Sequence, residues 1–407
     1  MPSTTRLFRL FAVLILGLAA AALRAEKAAP TLEERLTRLE GAIARIEARL
    51  NDTVSSDELA PTLKEFSDLT RALAWDGKSP LTAVKPAGKE KTLALGGFVQ
   101  ANFETGSATA APDSRFAGLS SRFLLRRARL FVAGTFAEDF SFKVESDFGN
   151  NSLAAKTGLS GQLTDAYVSW TKFPSASLRL GQFKTPFGYE QLLADTKLYT
   201  IERSLPNDSL TLGRQIGAMV YGDVAAKRIS YSVGSYNGTG TNLSSNDNQK
   251  FMWVGRVTGI VTDTKVGDKR LKVTAGADYF TTEDKGTFTG RRDGSSFDAQ
   301  AVYGPAELNA EWLQNDKHPL TGLATTARGW AFLGAYTLTA NLQGVVRYES
   351  YDTNTAVGNT TTTLWTYGVN YFIKGDDLKL SLDYLVGDQP APAPQGQRLI
   401  ARVQFMF

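Results

Sequence analysis

Arginine is the residue whose placement in this chain could do chemistry. In the run 123–132, Arg127 and Arg129 stand two apart on the polar phase, opposite Ala128, Leu130 and Val132. The same alternation sets Lys143 against Phe142 and Val144, Arg179 against Leu178 and Leu180, Arg256 against Gly255 and Val257, and Arg402 against Ala401 and Val403. Lys184, Arg203 and Arg214 join them from the stretch 177–221. A guanidinium has a fixed charge and a planar fork of donors, so it holds oxyanions without titrating. A row of such groups offers an anion several weak sites between which it can step. The competing use is bracing. Glu145, Asp147, Asp165, Glu202, Asp278, Glu307, Glu311 and Glu349 are available as partners, and paired in this way about half of the row would fix a loop rather than meet a solute. Arg126 falls on the apolar phase and is expected to snorkel at an outer rim.

Other chemistries are poorly provided for. The 407 residues include no Cys and one His. That removes thiol catalysis, Cys-based zinc sites and disulfides. His318 stands in Asn-Asp-Lys-His-Pro, expected to be a solvated loop. Most His chemistry and most transition-metal sites are therefore disfavoured, and no cofactor or metal is expected. A net charge of +4 does not suggest a nucleic-acid partner. A Ser or carboxylate enzyme is the remaining catalytic alternative.

The elements that would position the arginines are short strands. From residue 92 to 407 the apolar period is two. Leu271, Val273, Ala275, Ala277 and Tyr279 oppose Lys272, Thr274 and Asp278; Leu378, Leu380, Leu382 and Tyr384 oppose Lys379, Ser381 and Asp383. Such segments of about ten residues are the signature of a transmembrane β-barrel, whose polar lumen also explains a mean hydropathy of only −0.19. Connection lengths alternate. Short turns are expected at 137–139, 174–176, 225–227, 304–305, 339–340 and 375–376, with an intermediate one at 262–268. Long connections are expected at 105–120, 149–161, 185–214, 238–250, 283–295, 316–327, 352–361 and 387–397. Short on one rim and long on the other is the outer-membrane arrangement, and the runs between give about sixteen antiparallel strands. A sixteen-strand closure leaves an aqueous lumen.

The third long connection has no period-2 pattern, yet carries Phe187, Tyr189, Leu192, Leu193, Leu198, Tyr199 and Ile201. That is too apolar for a solvated tail. It is expected to fold into the barrel and narrow the bore; packing on the rim is the alternative.

Residues 1–25 read as an export signal: Arg6 and Arg9, an apolar core at 10–18, and alanines at 19–22 and 25. Residues 26–75 are expected to be a periplasmic helical segment. Leu32, Leu36, Leu39, Ile43, Ile46 and Leu50 follow a heptad seam, consistent with a short coiled coil between chains or with an amphipathic helix on its own barrel. Residues 76–91, rich in Pro, Gly and Lys, read as a linker. The final strand, 398–407, carries Leu399, Ala401, Val403, Phe405 and Phe407 on one face. Its terminal aromatic matches the pattern handed to the barrel-assembly machinery.

Several segments resemble the phosphate-selective porin O/P family: 123–130 with Gly134, Leu163-Thr-Asp-Ala-Tyr-Val-Ser169, Leu178-Arg-Leu-Gly-Gln-Phe-Lys-Thr-Pro-Phe-Gly188, Ile201-Glu-Arg-Ser-Leu205 and Gly213-Arg-Gln-Ile-Gly217. The similarity is dense between 122 and 222 and weaker afterwards. It implies a sixteen-stranded trimeric outer-membrane channel, a third loop folded into the bore, and basic residues along the pore. The expected function is therefore passive diffusion of small hydrophilic solutes across the bacterial outer membrane, biased to anions such as phosphate. The expected partners are outer-membrane lipids, two further copies of the chain and small anionic solutes. An envelope tether built on the N-terminal coil is the alternative.

Overall fold

The computed structural model describes residues 91–137, 139–149 and 161–407. The expected signal segment, coiled coil and nearly all of the linker lie outside them. Sixteen strands follow one another: β1 (Lys91–Gly106), β2 (Arg122–Phe136), β3 (Phe140–Asp147), β4 (Gln162–Trp170), β5 (Ser177–Lys184), β6 (Arg214–Val224), β7 (Ile229–Tyr236), β8 (Met252–Val266), β9 (Lys269–Asp284), β10 (Gly290–Tyr303), β11 (Ala306–Pro319), β12 (Thr325–Thr339), β13 (Leu342–Asp352), β14 (Thr361–Lys374), β15 (Leu378–Asp388) and β16 (Gly396–Met406). Each pairs antiparallel with its sequence neighbours, and β16 closes the barrel against β1 from Phe98↔Met406 to Gly106↔Arg398. No helix among the described residues is long and apolar enough to cross a membrane; the crossing is made by strands.

Burial runs opposite to that of a water-soluble sheet. Gln100, Asn102 and Glu104 on β1 are buried, as are Arg347 and Glu349 on β13 and Lys379, Ser381 and Asp383 on β15. Leu180, Leu308, Phe332 and Leu338 are exposed on the outer wall. Period 2 thus separates a polar inner face from an apolar outer one, which is what closed sheets in lipid require.

Three connections differ from expectation. The strands around 283–295 and 316–327 run on, leaving links of only 285–289 and 320–324, and 262–268 tightens to Gly267-Asp268. The extensions carry polar residues on both faces, so no apolar period marks them. His318 consequently belongs to β11 rather than a loop; it pairs with Arg291 across the ladder and lies 3.6 Å from Asp293.

Inside the wall are separate apolar clusters. One joins Ala111, Phe116 and Leu119 of loop 1 (107–121) to Leu124, Ile201, Leu364, Leu385 and Ile400. A second gathers Phe183, Phe187, Leu210, Met219, Tyr236, Met252, Val254, Phe280 and Leu313. Loop 1 approaches the wall where it has no side chains. A Cβ on Gly387 would lie 1.8 Å from the Pro112 carbonyl oxygen, and one on Gly396 would lie 2.1 Å from Ala111. Gly387→Ala is therefore expected to lever loop 1 off β15 and β16, at a cost of about 1–3 kcal/mol for overpacking. Limited trypsin digestion of the folded protein reads this directly. The variant should become cleavable after Arg115 while the parent resists; equal resistance would show that the contact is dispensable.

Candidate functional site: the basic side chains and loop 3

The β2 arginines are set by a bulge. The ladder with β1 runs Gln100↔Arg127 and then Ala101↔Leu125, so β2 spends an extra residue at Arg126. A bulge turns two consecutive side chains to one face. Arg126 and Arg127 are both buried, 5% and 3% exposed. The expectation that Arg126 snorkels outward is thereby corrected. Its Nε and Nη2 donate to the two carboxylate oxygens of Glu202, each at 3.0 Å. Beyond the bulge Arg129 keeps the inner phase, and exposed Leu130 the outer.

Loop 3 (185–213) is folded locally by its own sequence. Gly188, at φ 86°, opens a short helix α1 (Tyr189–Leu192). Ser204 caps helix α2 (Leu205–Leu210): its hydroxyl accepts from the Asn207 N–H, and Pro206 stands in the first turn, where a missing donor costs nothing. The loop's backbone donors go to carboxylates of the strands. The Gly188 N–H reaches Asp278 at 2.7 Å, Tyr189 N–H reaches Glu311 at 2.6 Å, Ile201 N–H reaches Asp383 at 2.6 Å and Leu205 N–H reaches Glu349 at 3.2 Å. Its carbonyls accept from strand side chains: Gln404 and Lys379 donate to Thr196, Asn370 to Tyr199, and Arg402 to Ile201. Tyr199 donates its hydroxyl to Glu307.

Two loop carboxylates are hubs. Asp195, 6% exposed, meets Arg203 at 2.5 Å, Arg129 at 2.6 Å and Arg127 at 3.3 Å. Glu202 meets Arg402 at 2.5 Å as well as Arg126. Burial alone would raise both carboxyls, but the guanidiniums overturn it and hold each well below the usual carboxylate range.

The sequence-derived basic residues now divide. Arg129 is also paired with Asp147 at 2.8 Å; Lys143 with Glu145 at 2.8 Å and Asp165 at 2.9 Å; Arg214 with Asp165 at 2.7 Å; and Arg256 with Asp278 at 2.6 Å and Asp298 at 2.8 Å. With Arg127, Arg203 and Arg402 on the loop hubs, these are braces. Arg179 and Lys184 have no ion pair among the described residues. Lys184 donates to the carbonyls of Gln191 and Leu193, both at 2.7 Å, and Arg179 donates to the Ser169 hydroxyl at 3.0 Å. Both line an open cavity of about 330 Å³ bordered by β4–β8 and the start of loop 3. A second cavity of about 390 Å³, walled by Pro174, Tyr221 and Asp223, lies towards the short turns.

Sequence reasoning missed several bracing cations, among them Lys379, which donates to loop-3 carbonyls, and the three that follow. Arg115 of loop 1 bonds Asp208 at 2.8 Å and the Arg203 carbonyl at 2.8 Å. Arg347 forms an ion pair with Glu349 and donates hydrogen bonds to Glu190 and the Glu202 carbonyl. Arg398 reaches Glu104 at 3.4 Å. Arg347 and Arg398 sit on the polar phase of clearly alternating strands, and that signal would have found them. Loop 1 has no such phase.

A model of the phosphate-selective porin O and P family matches residues 94–407. No curated protein matches the chain. Among solved structures, the anion-selective porin of Comamonas acidovorans is 14% identical with a TM-score of 0.57, covering 78% of this chain and 100% of that one. The outer-membrane channel DcaP of Acinetobacter baumannii is also 14% identical with a TM-score of 0.57, covering 79% and 99%. OmpT of Vibrio cholerae, in its trimer form, is 11% identical with a TM-score of 0.55, covering 78% and 100%. At these identities the likeness is one of fold.

Proposed function

The chain belongs to the phosphate-selective porin O and P family and forms a channel of the bacterial outer membrane; from that premise we propose that it passes small hydrophilic solutes with a bias to anions such as phosphate. Loop 3 lies in the bore and narrows it, leaving the route beside β4–β8. The loop's bonds to inward residues of β1, β2, β9, β11 and β13–β16 support that placement. Selectivity in such a passage comes from width and lining charge, with no bond chemistry required. Self-association as a homotrimer is part of the same reading, and native electrophoresis reads it. A periplasmic N-terminal coil remains an expectation of the heptads at 32–50.

The observation that carries the anion bias is the pair Arg179 and Lys184. The other members of the row form ion pairs with carboxylates, whereas these two line the cavity without an ion pair among the described residues, Lys184 being held by loop carbonyls. At about 5 Å a unit charge is worth roughly 0.8 kcal/mol even at the dielectric of water, a factor of about four per charge. Arg179→Gln combined with Lys184→Gln is expected to shift the reversal potential in a salt gradient towards cation preference by that order. An unchanged reversal potential in a folded variant would remove these residues as its source.

A further inference from the structure

Arg179 is held in an unusual setting for a pore cation. Its backbone pairs with Ser169 on β4 and Met219 on β6. Two residues further along those strands, Tyr167 and Tyr221 flank its side chain. The guanidinium carbon lies 4.1 Å from the Tyr167 ring centre and 4.9 Å from that of Tyr221, with the Phe183 ring at 5.5 Å. Gly181 lets β5 lie close against β4: a Cβ there would lie 2.2 Å from the Ala166 oxygen and 2.7 Å from the Tyr167 Cα. Stacking between rings fixes the plane of a guanidinium. Only its Nε–H has a protein acceptor among the described residues, the Ser169 hydroxyl. The two terminal nitrogens remain for a ligand. The wall is mixed: Tyr167, Phe183, Pro186, Leu192 and Met219 give the cavity an apolar side, while Lys184, Ser232 and Arg256 lie on its polar side. About 330 Å³ is the size of a small-molecule pocket.

This lining suits one class of anion better than another. A bare inorganic oxyanion must exchange its water for donors and gains nothing from the apolar side of this cavity. A carboxylate can take the two terminal nitrogens of one guanidinium in a fork, while an attached ring or branched chain covers the apolar side. We propose that the cavity recognises organic carboxylates with an aromatic or branched apolar body, Arg179 holding the carboxylate and Tyr167 and Phe183 the body. The proposal rests on the channel reading above and names its preferred solute class.

The test is block of chloride current through the full chain in planar bilayers by sodium benzoate, acetate and phosphate. Burying most of a phenyl ring predicts half-block by benzoate at a concentration roughly tenfold lower than acetate, with phosphate no better than acetate. Arg179→Gln should abolish the benzoate block. Arg179→Lys should weaken it, because the charge remains and the fork is lost. Tyr167→Leu should shrink the benzoate-to-acetate ratio. Equal block by benzoate and acetate, stronger block by phosphate, or benzoate block that survives Arg179→Gln would each overturn the proposal. A parent channel without anion preference in its reversal potential would instead overturn the anion bias, whatever the order of blockers.

Discussion

Replacing residues 192–210 by a short Gly-Ser linker is expected to raise single-channel conductance by at least about twofold, since a sixteen-strand barrel without an inserted segment is an open aqueous channel. The barrel should survive the change. The groups the loop leaves behind, among them Lys379, Asn370 and Gln404, would face water. A polar group released to water pays little, in contrast to one orphaned in a dry interior. The excision removes Asp195, Glu202 and Asp208 together with Lys197 and Arg203. It uncovers Arg127 and Arg402 but also Asp383 and Glu349, so the change is expected in conductance rather than in selectivity. A folded variant with parental conductance would put loop 3 outside the current path.

Asp195→Asn is expected to lower stability strongly. The side chain keeps its size but loses the charge that three guanidiniums share. Removing one member of a buried ionic group costs about 3–5 kcal/mol, because the remaining charges stay buried without compensation. Arg129 keeps Asp147 and Glu145; Arg203 keeps only backbone carbonyls. The loss should show as a lower temperature for the heat-induced mobility shift on electrophoresis. The sign with pH follows from the depressed carboxyl. Its contribution is complete above the ordinary Asp value of about 3.9 and disappears only as pH falls through the lower folded value. Mild acid should thus leave this contact intact. A variant as heat-resistant as the parent would show that the hub contributes no net stability.

The outer wall was legible because lipid selects it. Leu271, Val273, Ala275, Ala277 and Tyr279 advertise one face of β9, and the observed ladder places that face outward. The inner contents were legible only in part. Nothing in Leu-Leu-Arg-Arg-Ala-Arg says which arginine is the extra residue, since a bulge is decided by the neighbouring strand. Loop 1 hides its anchor, Phe116, in a polar run whose docking depends on the bare backbones of Gly387 and Gly396, far away in sequence. The braces were identifiable as residue types, and Glu145, Asp147, Asp165, Glu202, Asp278 and Glu349 do pair with arginine or lysine. Asp195 was not singled out, because its partners come from two strand positions and its own loop. Glu307 and Glu311 went elsewhere, to the Tyr199 hydroxyl and to the N–H groups of Tyr189 and Glu190.

The seam between β1 and β16 joins the ends of the barrel that lie farthest apart along the chain. Such a pairing carries the heaviest loop-closure entropy and forms late. Loop 3 sits across it. The Gln100 amide of β1 donates to Gln404 of β16 at 2.8 Å and to the Asp195 carbonyl at 3.0 Å; Gln404 donates to Thr196 at 3.0 Å, and Arg402 to Ile201. The segment proposed to constrict the passage thus also clasps this seam, so the closure of the barrel and its aperture draw on one set of contacts.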